Sequence, residues 1–251
     1  QALLLDVKVG NGAFMKALTP ARTLAKAMVQ IGRHAGRRMA AMITDMNQPL
    51  GYAVGNALEM KQTVQVLSRG RYRLTERAPE DFETLVIEET AWMLVLAGLA
   101  SSPAAGRTAA RTALESGAAL ERFRRMVESQ GGDPRVADLP DAVLPRAARI
   151  IPVPSPRAGY LKSVETETIG TAALLLGAGR LKKEDAIDPA VGLIIRKKLG
   201  DQVRKGESLV DLHVNREDRV PDVIELVQKA YEVGATRPRV PPLIHEIIKP
   251  A

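Results

Sequence analysis

Apolar and polar positions in the first 45 residues predict a strand, a helix and a second strand. Residues 2–9 are almost continuously apolar, which is typical of a buried strand in a mostly parallel sheet. After a glycine-rich turn, Thr19 and Pro20 predict the N-cap and first turn of a helix that ends near Gly36. Residues 39–44 predict the second strand. This order is a βαβ unit, in which the helix packs on a parallel sheet.

Helical periodicity dominates the chain after the loop at residues 45–51. Asn56, with Glu59 three residues later, predicts a capping box at the start of a helix that reaches about Ser68. Three further helical patterns cover residues 79–98, 103–116 and 118–129. Together with the βαβ unit, these helices predict that residues 1–130 belong to an α/β domain.

Prolines and turn residues mark residues 131–149 as a linker. Beyond it the pattern changes to short strand-like and helical runs. The strand-like runs are residues 150–153, 159–165, 191–197 and 208–214, and the helices are residues 168–176 and 221–233. We therefore expect the α/β class: a partial parallel-sheet α/β domain, then a small α+β domain at residues 150–251 with a proline-rich tail.

One segment of the predicted second domain has a recognisable turn-and-strand pattern. Residues 199–209 resemble barrel-sandwich hybrid domains such as biotinyl and lipoyl carriers. No hairpin presents a lysine for modification, so we do not expect carrier activity.

Composition limits the possible chemistry and partners. The 251 residues include no cysteine, which excludes disulfides, thiolate metal sites and cysteine nucleophiles. The longest apolar stretch, residues 91–100, is too short to cross a bilayer, and the N-terminus lacks the features of a secretory signal. We therefore expect no membrane partner and a cytoplasmic location.

The formal net charge of +7 favours anionic partners, among them nucleic acid, anionic lipid and phosphorylated substrates. Aromatic residues make up only 3% of the chain, so there are few platforms on which single-stranded nucleic acid could stack. The basic clusters at residues 33–38 and 122–125 are typical of helix ends and solvated helix faces. We expect no nucleic-acid partner.

The ionisable residues form no strong catalytic pattern. His34, His213 and His245 lack the spacing of metal ligands and are predicted to be ordinary surface or hydrogen-bonded histidines. Glu88 and Glu89 are adjacent on a predicted helix and point in different directions, which favours a solvated face over acid–base chemistry.

Several ordered segments carry a more specific signal. Residues 5–15 (LDVKVGNGAFM), 44–51 (TDMNQPLG) and 55–59 (GNALE) resemble the thymidine and pyrimidine-nucleoside phosphorylase family in order and spacing. Later segments at residues 130–134, 177–180 and 187–192 extend the likeness to nearly the whole chain. A single Gly-x-Gly turn would be weak evidence, but several segments in order are much stronger.

The resemblance implies a pentosyltransferase that converts a pyrimidine nucleoside and inorganic phosphate to the free base and a pentose 1-phosphate. Phosphate attacks the anomeric carbon as the base departs, so catalysis depends on positioning and electrostatic stabilisation. The family also implies a homodimer for the full-length protein. Its phosphate loop and base-gripping residues would lie upstream of Gln1. We therefore expect a truncated or processed start, no catalytic residue in this chain and no activity of the chain alone.

Two smaller sites follow from the same resemblance. Phe14 and Met15 would border the pyrimidine pocket, although Phe14 could instead pack the turn against the sheet. In the family's bacterial members, K⁺ is bound by backbone carbonyls at the positions of Leu50 and Ala53. Gln62 occupies the position of the family's glutamate ligand, and the lost negative charge would weaken the site.

Other functions remain open at this stage. The chain could be a non-catalytic binding or interaction protein that keeps the fold, a relative of the nucleoside-monophosphate phosphorylases, or a basic nucleic-acid binder. The sequence does not separate thymidine from uridine preference, since the discriminating residues are expected upstream.

Overall fold

The structure is a computed structural model that describes residues 2–180 and 182–249. Gln1, Leu181, Pro250 and Ala251 lie outside the described residues, and so does the predicted catalytic region upstream of Gln1. The strands are β1 Ala2–Val9, β2 Arg38–Asp45, β3 Ala53–Val54, β4 Arg149–Pro154, β5 Gly159–Val164, β6 Gly192–Ile195, β7 Gln202–Val203, β8 Ser208–Val214, β9 Tyr231–Gly234 and β10 Ile244–Ile248. The α-helices are α1 Leu18–His34, α2 Asn56–Leu67, α3 Glu80–Ala97, α4 Pro103–Glu115, α5 Ala118–Ser129, α6 Pro140–Val143, α7 Thr166–Ala173 and α8 Val220–Ala230.

The chain folds into two compact units, and each is built from segments that are separate in the sequence. The first unit contains the residues up to Asn47, Glu80–Ala118 and the residues from Pro241 onward. The second unit contains Gln48–Pro79 and Ala119–Val240. The domain boundaries drawn from sequence, residues 1–130, 131–149 and 150–251, stay a prediction.

The first unit is built on a three-stranded sheet in the order β1-β2-β10. Strand β1 runs parallel to β2 from the pair Ala2 and Arg38 to the pair Val9 and Asp45, which confirms the predicted parallel pairing. Strand β10 joins the other edge of β2 in the antiparallel direction. The sequence had suggested only a proline-rich tail there.

Strand β1 lies at an edge of this sheet, and its burial is less than the sequence indicated. Only Val7 and Val9 are buried, while Leu3 is 49% exposed. The predicted burial is therefore confirmed for the C-terminal end of the strand, whereas Leu3 is exposed in this chain. An unbroken apolar run indicates a strand without fixing its place in the sheet, because neighbouring elements decide which side chains are covered.

Helix α1 covers one face of the sheet, as predicted. Ala21, Ala25 and Val29 pack against Val7 and Ile43 in a common apolar cluster. The helix ends where Gly36 adopts a positive φ of 66°, and the Gly36 amide donates to the Arg33 carbonyl.

Both predicted helix starts lie too late in the sequence, by two residues for α1 and by one residue for α2. Helix α1 begins after Ala17, which is extended and has no side-chain cap, so Thr19 is not the N-cap. Pro20 lies in the first turn and lacks an N–H, so there is one fewer donor to satisfy. Helix α2 begins after Gly55, and Glu59 accepts a hydrogen bond from the Gly55 amide at 3.0 Å. Glu59 thus has the predicted capping role, but Asn56 is not the N-cap.

Helix α3 contacts the same sheet and brings a carboxyl group to a polar cluster on β1. Asp6 accepts a hydrogen bond from the Thr44 hydroxyl at 2.5 Å and lies 2.5 Å from the Lys8 ammonium. Burial, followed by hydrogen bonding and charge repulsion from Asp6, raises the pKa of Glu89 to about 7, and Lys8 opposes the shift.

Glu88 pairs with Arg107 on α4 at 3.1 Å. The predicted solvated face at Glu88 and Glu89 is therefore wrong, because helix packing covers it.

The second unit contains two antiparallel sheets around one apolar core. The four-stranded sheet has the order β3-β6-β8-β4 and the three-stranded sheet has the order β7-β5-β9. Neither sheet closes into a barrel among the residues described. Helices α7 and α8 supply buried side chains to this core, including Ile169 and Val223. The α/β class, with a small mixed second domain, is confirmed.

Several element boundaries in this unit differ from the prediction. The final helix ends at Ala230 rather than residue 233, because Tyr231–Gly234 pairs with β5 as a strand. Helix α7 begins at Thr166, two residues early, and Leu174–Ala178 forms a wide π-helical turn. The predicted linker contains a short 3-10 turn, Pro134–Ala137, and helix α6.

Within the described ranges, no helix combines the length and apolar character that crossing a bilayer requires.

Two glycines allow the backbones of β3 and β6 to approach closely. Gly192 has a φ of 153°, and a Cβ there would lie 2.1 Å from the Val54 carbonyl oxygen. Gly55 has a φ of 128°, and a Cβ there would lie 2.5 Å from the Val191 carbonyl oxygen. Any larger residue at either position would have to push backbone against backbone.

The substitution Gly192→Ala should lower the free energy of unfolding by at least about 2 kcal/mol, since it combines backbone strain with a clash that backbone atoms cannot easily relieve. Urea denaturation would measure this. The matched control is Gly206→Ala, since Gly206 also has a positive φ of 84° but has open space around it. Its cost should stay near about 1 kcal/mol. Equal costs at the two positions would contradict the close approach.

The substitution Glu89→Gln should change how stability depends on pH. The folded state holds the Glu89 proton up to about pH 7, whereas the unfolded chain releases it near its ordinary pKa, so this group's contribution is lost as pH rises from about 5 to 8. The melting temperature of the variant relative to the parent should therefore increase over that range. Glu115→Gln, at the exposed end of α4, should show no such trend, and a flat difference for Glu89→Gln would refute the assigned protonation.

Candidate functional site

In the first unit, the predicted substrate-binding residues lie in a loop after β1. The Gly10 amide donates to the Met15 carbonyl at 3.0 Å, and the Gly12 amide donates to the Met46 carbonyl at 2.9 Å. Gly10 has a φ of 131°, and a Cβ there would lie 2.8 Å from the Asn47 amide nitrogen. Glycine at position 10 therefore lets this loop lie directly against the loop that follows β2.

A buried carboxylate holds these two loops and the chain tail together. Asp45 accepts hydrogen bonds from the Asn47 amide at 3.1 Å and from the Asn47 side chain at 2.7 Å. The Nε2 atom of His245, on β10, lies 3.2 Å from the same carboxylate. Asn47 in turn accepts a hydrogen bond from the Asn11 amide at 3.1 Å. The position of the glycine-rich loop thus depends on side chains about 200 residues apart in sequence.

Within this loop, Phe14 and Met15 have different surroundings. The Phe14 side chain is 93% exposed, so it does not pack the turn against the sheet. Met15 is partly buried against the core cluster beneath α1, and its backbone bridges Val9. Phe14 is therefore an accessible apolar side chain of this loop, and Met15 anchors the loop that presents it.

In the second unit, the predicted cation ligands lie in and beside the loop that leads into β3. Gln62, on α2, is 4% exposed, and its Oε1 atom accepts hydrogen bonds from the Tyr52 amide at 2.6 Å and the Ala53 amide at 3.1 Å. The Tyr52 carbonyl accepts from the Ile195 amide at 2.7 Å. Leu50 lies in the same loop.

Gln62 does not fit the role of a cation ligand in this conformation. An amide oxygen has two lone pairs, and two backbone donors already occupy this one. A cation would have to displace them and leave buried N–H groups without partners, which costs about 1–3 kcal/mol each. Here Gln62 ties the loop to α2.

A buried lysine makes a second tie to the same loop. The Lys198 ammonium donates to the Pro49 carbonyl at 2.7 Å, and Lys198 is 8% exposed. The ammonium also lies 5.2 Å from the centre of the Tyr52 ring, within the range of a cation–π interaction. The Gln48 side chain accepts from the Leu199 amide at 2.9 Å. The side-chain ammonium of Lys198 therefore lies at the Pro49 carbonyl, one residue before Leu50.

The three histidines have different surroundings. His34 is exposed near the end of α1, and His245 is hydrogen-bonded, as predicted. His213, on β8, is half-buried, and burial lowers its pKa. Among the described residues there is no group of three histidines or carboxylates that could hold a metal ion.

The residues that hold both loops carry few local signals in the sequence. The Asp-x-Asn pattern at Asp45 and Asn47 is a local signal, because such side chains commonly hydrogen-bond backbone two residues away. No local pattern marks His245 or Lys198, because each acts on a residue at least 149 positions away.

Comparison with protein families matches both parts of the chain. Residues 1–120 match the model of the glycosyl transferase family a/b domain. Residues 160–234 match the model of the pyrimidine nucleoside phosphorylase C-terminal domain.

Comparison with individual proteins gives long alignments. The pyrimidine-nucleoside phosphorylases of Geobacillus stearothermophilus and Bacillus subtilis are each 45% identical over 247 residues, which covers 98% of this chain and 55% of the relative. That of Staphylococcus haemolyticus is 44% identical with the same coverage. The chain thus spans about half the length of the curated relatives that it matches. The resemblance to the pyrimidine-nucleoside phosphorylase family predicted from the ordered segments is therefore confirmed, and it extends over nearly the whole chain.

Proposed function

We propose that the whole protein is a pentosyltransferase that phosphorolyses a pyrimidine nucleoside to the free base and a pentose 1-phosphate. The observation that carries this proposal is the 45% identity, over 98% of the chain, to two enzymes named pyrimidine-nucleoside phosphorylase. Inorganic phosphate is then the co-substrate and a pyrimidine nucleoside the substrate. A relative that uses nucleoside monophosphates and a non-catalytic protein with the same fold are the alternatives.

Within that reaction, we assign this chain a role in placing the nucleoside. Phe14 offers an exposed aromatic face, and a pyrimidine base stacks favourably on such a face. Met15 would contribute to the pocket mainly by anchoring the loop. Asp45 and Asn47 would hold the loop in place, so that the loop is already ordered before the nucleoside binds. The groups that bind phosphate and stabilise the departing base are expected in the sequence before Gln1.

Assembly and location belong to the same proposal. A homodimer is expected for the whole protein because the family implies it, and a cytoplasmic location stays a prediction.

The 251-residue chain should release no uracil or thymine from uridine or thymidine in the presence of phosphate, whereas a protein that adds the preceding segment should be active. The reason is that the predicted phosphate-binding residues lie in that segment. Chromatographic assay of the free base, with and without phosphate, measures this. Activity of the short chain would refute the placement of the catalytic residues, and inactivity of both proteins would favour the non-catalytic alternative.

In the longer protein, Phe14→Ala tests the stacking role in the same assay. The KM for the nucleoside should rise about tenfold, the size expected for loss of one base–aromatic contact, while the KM for phosphate stays unchanged. The control is Leu99→Ala, which removes another exposed apolar side chain of the first unit, 77% exposed. If both substitutions change the KM values alike, Phe14 has no specific contact with the base.

We further propose that Leu50, Ala53 and Gln62 mark the family's K⁺ position, but that this chain holds the ion weakly. The neutral side chain of Gln62 brings no charge to offset the dehydration of the ion. Its oxygen also has two backbone donors to satisfy. The Lys198 ammonium already supplies positive charge at Pro49, one residue before Leu50.

The substitution Gln62→Glu should therefore create K⁺-dependent stability. KCl should raise the melting temperature of the variant by several degrees more than choline chloride at equal ionic strength, whereas the parent chain should respond equally to both salts. The matched control is Gln65→Glu, because Gln65 is also buried on α2 and accepts from the Leu74 and Thr75 amides. A specific K⁺ effect on the parent chain would show that Gln62 already serves as a ligand.

A further inference from the structure

The second unit contains a cavity of about 450 Å³ that belongs to neither candidate site. It lies against α2, the loop after α2, helix α6 and the segment that leads into β4. This volume is within the range of small-molecule sites. Its basic and histidine side chains are Lys61, Arg73, Arg146, Arg149, Arg196 and His213.

Helix geometry separates this cavity from the loop that Gln62 holds. Lys61 and Gln62 are consecutive residues of α2, so their side chains point about 100° apart around the helix axis. Gln62 reaches the Tyr52 and Ala53 amides, and Lys61 lines the cavity. Helix α2 therefore presents side chains to two different places in the same unit, the loop before β3 and the cavity.

Positive charge exceeds negative charge in the cavity wall. Five side chains in the wall carry a permanent positive charge, and Asp141 is the carboxylate among the lining residues. Arg149 and Arg196 have acidic partners outside the lining, Glu217 and Asp211.

Asp141 is shared by two of these cations. Its Oδ1 atom lies 3.0 Å from the Lys61 ammonium and 3.6 Å from the Arg146 guanidinium. The Tyr72 hydroxyl also donates to Oδ1, at 3.3 Å. One carboxylate balances only one of the two cations, so the wall keeps a net positive charge at this point.

The excess positive charge includes an ammonium, that of Lys61, which is largely shielded from water. Its side chain is 6% exposed, whereas that of Asp141 is 45% exposed. A buried ammonium loses hydration, and a second anionic group at its open side would recover part of that loss. His213 responds to the same field: burial, then the charges of Lys61 and Arg196, lower its pKa despite Asp211, so the imidazole stays neutral at pH 7.

We propose that this cavity binds a small phosphomonoester, with the phosphate against Lys61 and Arg146. A guanidinium and an ammonium that converge on one point are typical of phosphate recognition. Leu58, Leu74 and Ile194 line the remainder of the cavity and leave room for an uncharged organic part. This site is independent of the proposed phosphorolysis, since none of its residues belongs to the loops assigned to that reaction.

Isothermal titration calorimetry on the 251-residue chain, at fixed ionic strength, tests the proposal with ribose 5-phosphate and with inorganic phosphate as probes. Ribose 5-phosphate should bind saturably and at least fivefold more tightly than inorganic phosphate. Lys61→Met should weaken its binding at least tenfold, and Arg146→Ala about fivefold. Equal affinity for the two probes, or no saturable binding of ribose 5-phosphate, would overturn the assignment.

Two further variants separate a specific site from general charge and from misfolding. Arg125→Ala removes an arginine that is 65% exposed and paired with Glu121, closely matching Arg146, which is 63% exposed and paired with Asp141. It should leave the affinity within twofold. Asp141→Asn removes the competing carboxylate and should tighten binding at least threefold, a gain that unfolding could not produce. A loss with Arg125→Ala equal to that with Arg146→Ala, or no gain with Asp141→Asn, would refute the site.

Discussion

The buried carboxylate of Asp45 is the interaction on which the first unit's candidate site depends. A carboxylate with only 5% of its side chain exposed must be hydrogen-bonded, because an unpaired buried charge costs several kcal/mol. Asn47 and His245 meet this requirement, and through them Asp45 fixes the loop after β1 and the strand β10. The exposure of Phe14 follows, since the loop that carries it is held at its base and not by its own side chain.

The same principle organises the second unit through helix α2. Gln62 and Gln65 are both buried, and each uses its amide oxygen to satisfy two backbone N–H groups of a nearby loop. Lys198 completes the restraint at Pro49. A side-chain amide can hold a loop in this way without a metal ion, although it lacks the charge that would make a strong cation site.

Basic side chains occur both in ion pairs on helix surfaces and in the wall of the cavity around Lys61. Arg124 and Arg125 pair with Glu121 on α5, where solvent screens the charges and the pairs contribute little to stability. Lys61 and Arg146 instead share one carboxylate at the wall of a cavity. Excess charge has the greater consequence at Lys61, because its low solvent exposure reduces screening and strengthens the attraction of an anion.

The sequence by itself determined the parallel pair β1 and β2, the helices α1 to α5 and the family resemblance, because periodicity, turn residues and ordered segments are local properties of the chain. It also identified Phe14 as a candidate, through resemblance alone. It did not reveal β10, the partners of His245 and Lys198, or the cavity around Lys61. These features arise when residues far apart in sequence meet, and only the tertiary structure decides which buried polar groups become partners and which charges are left in excess.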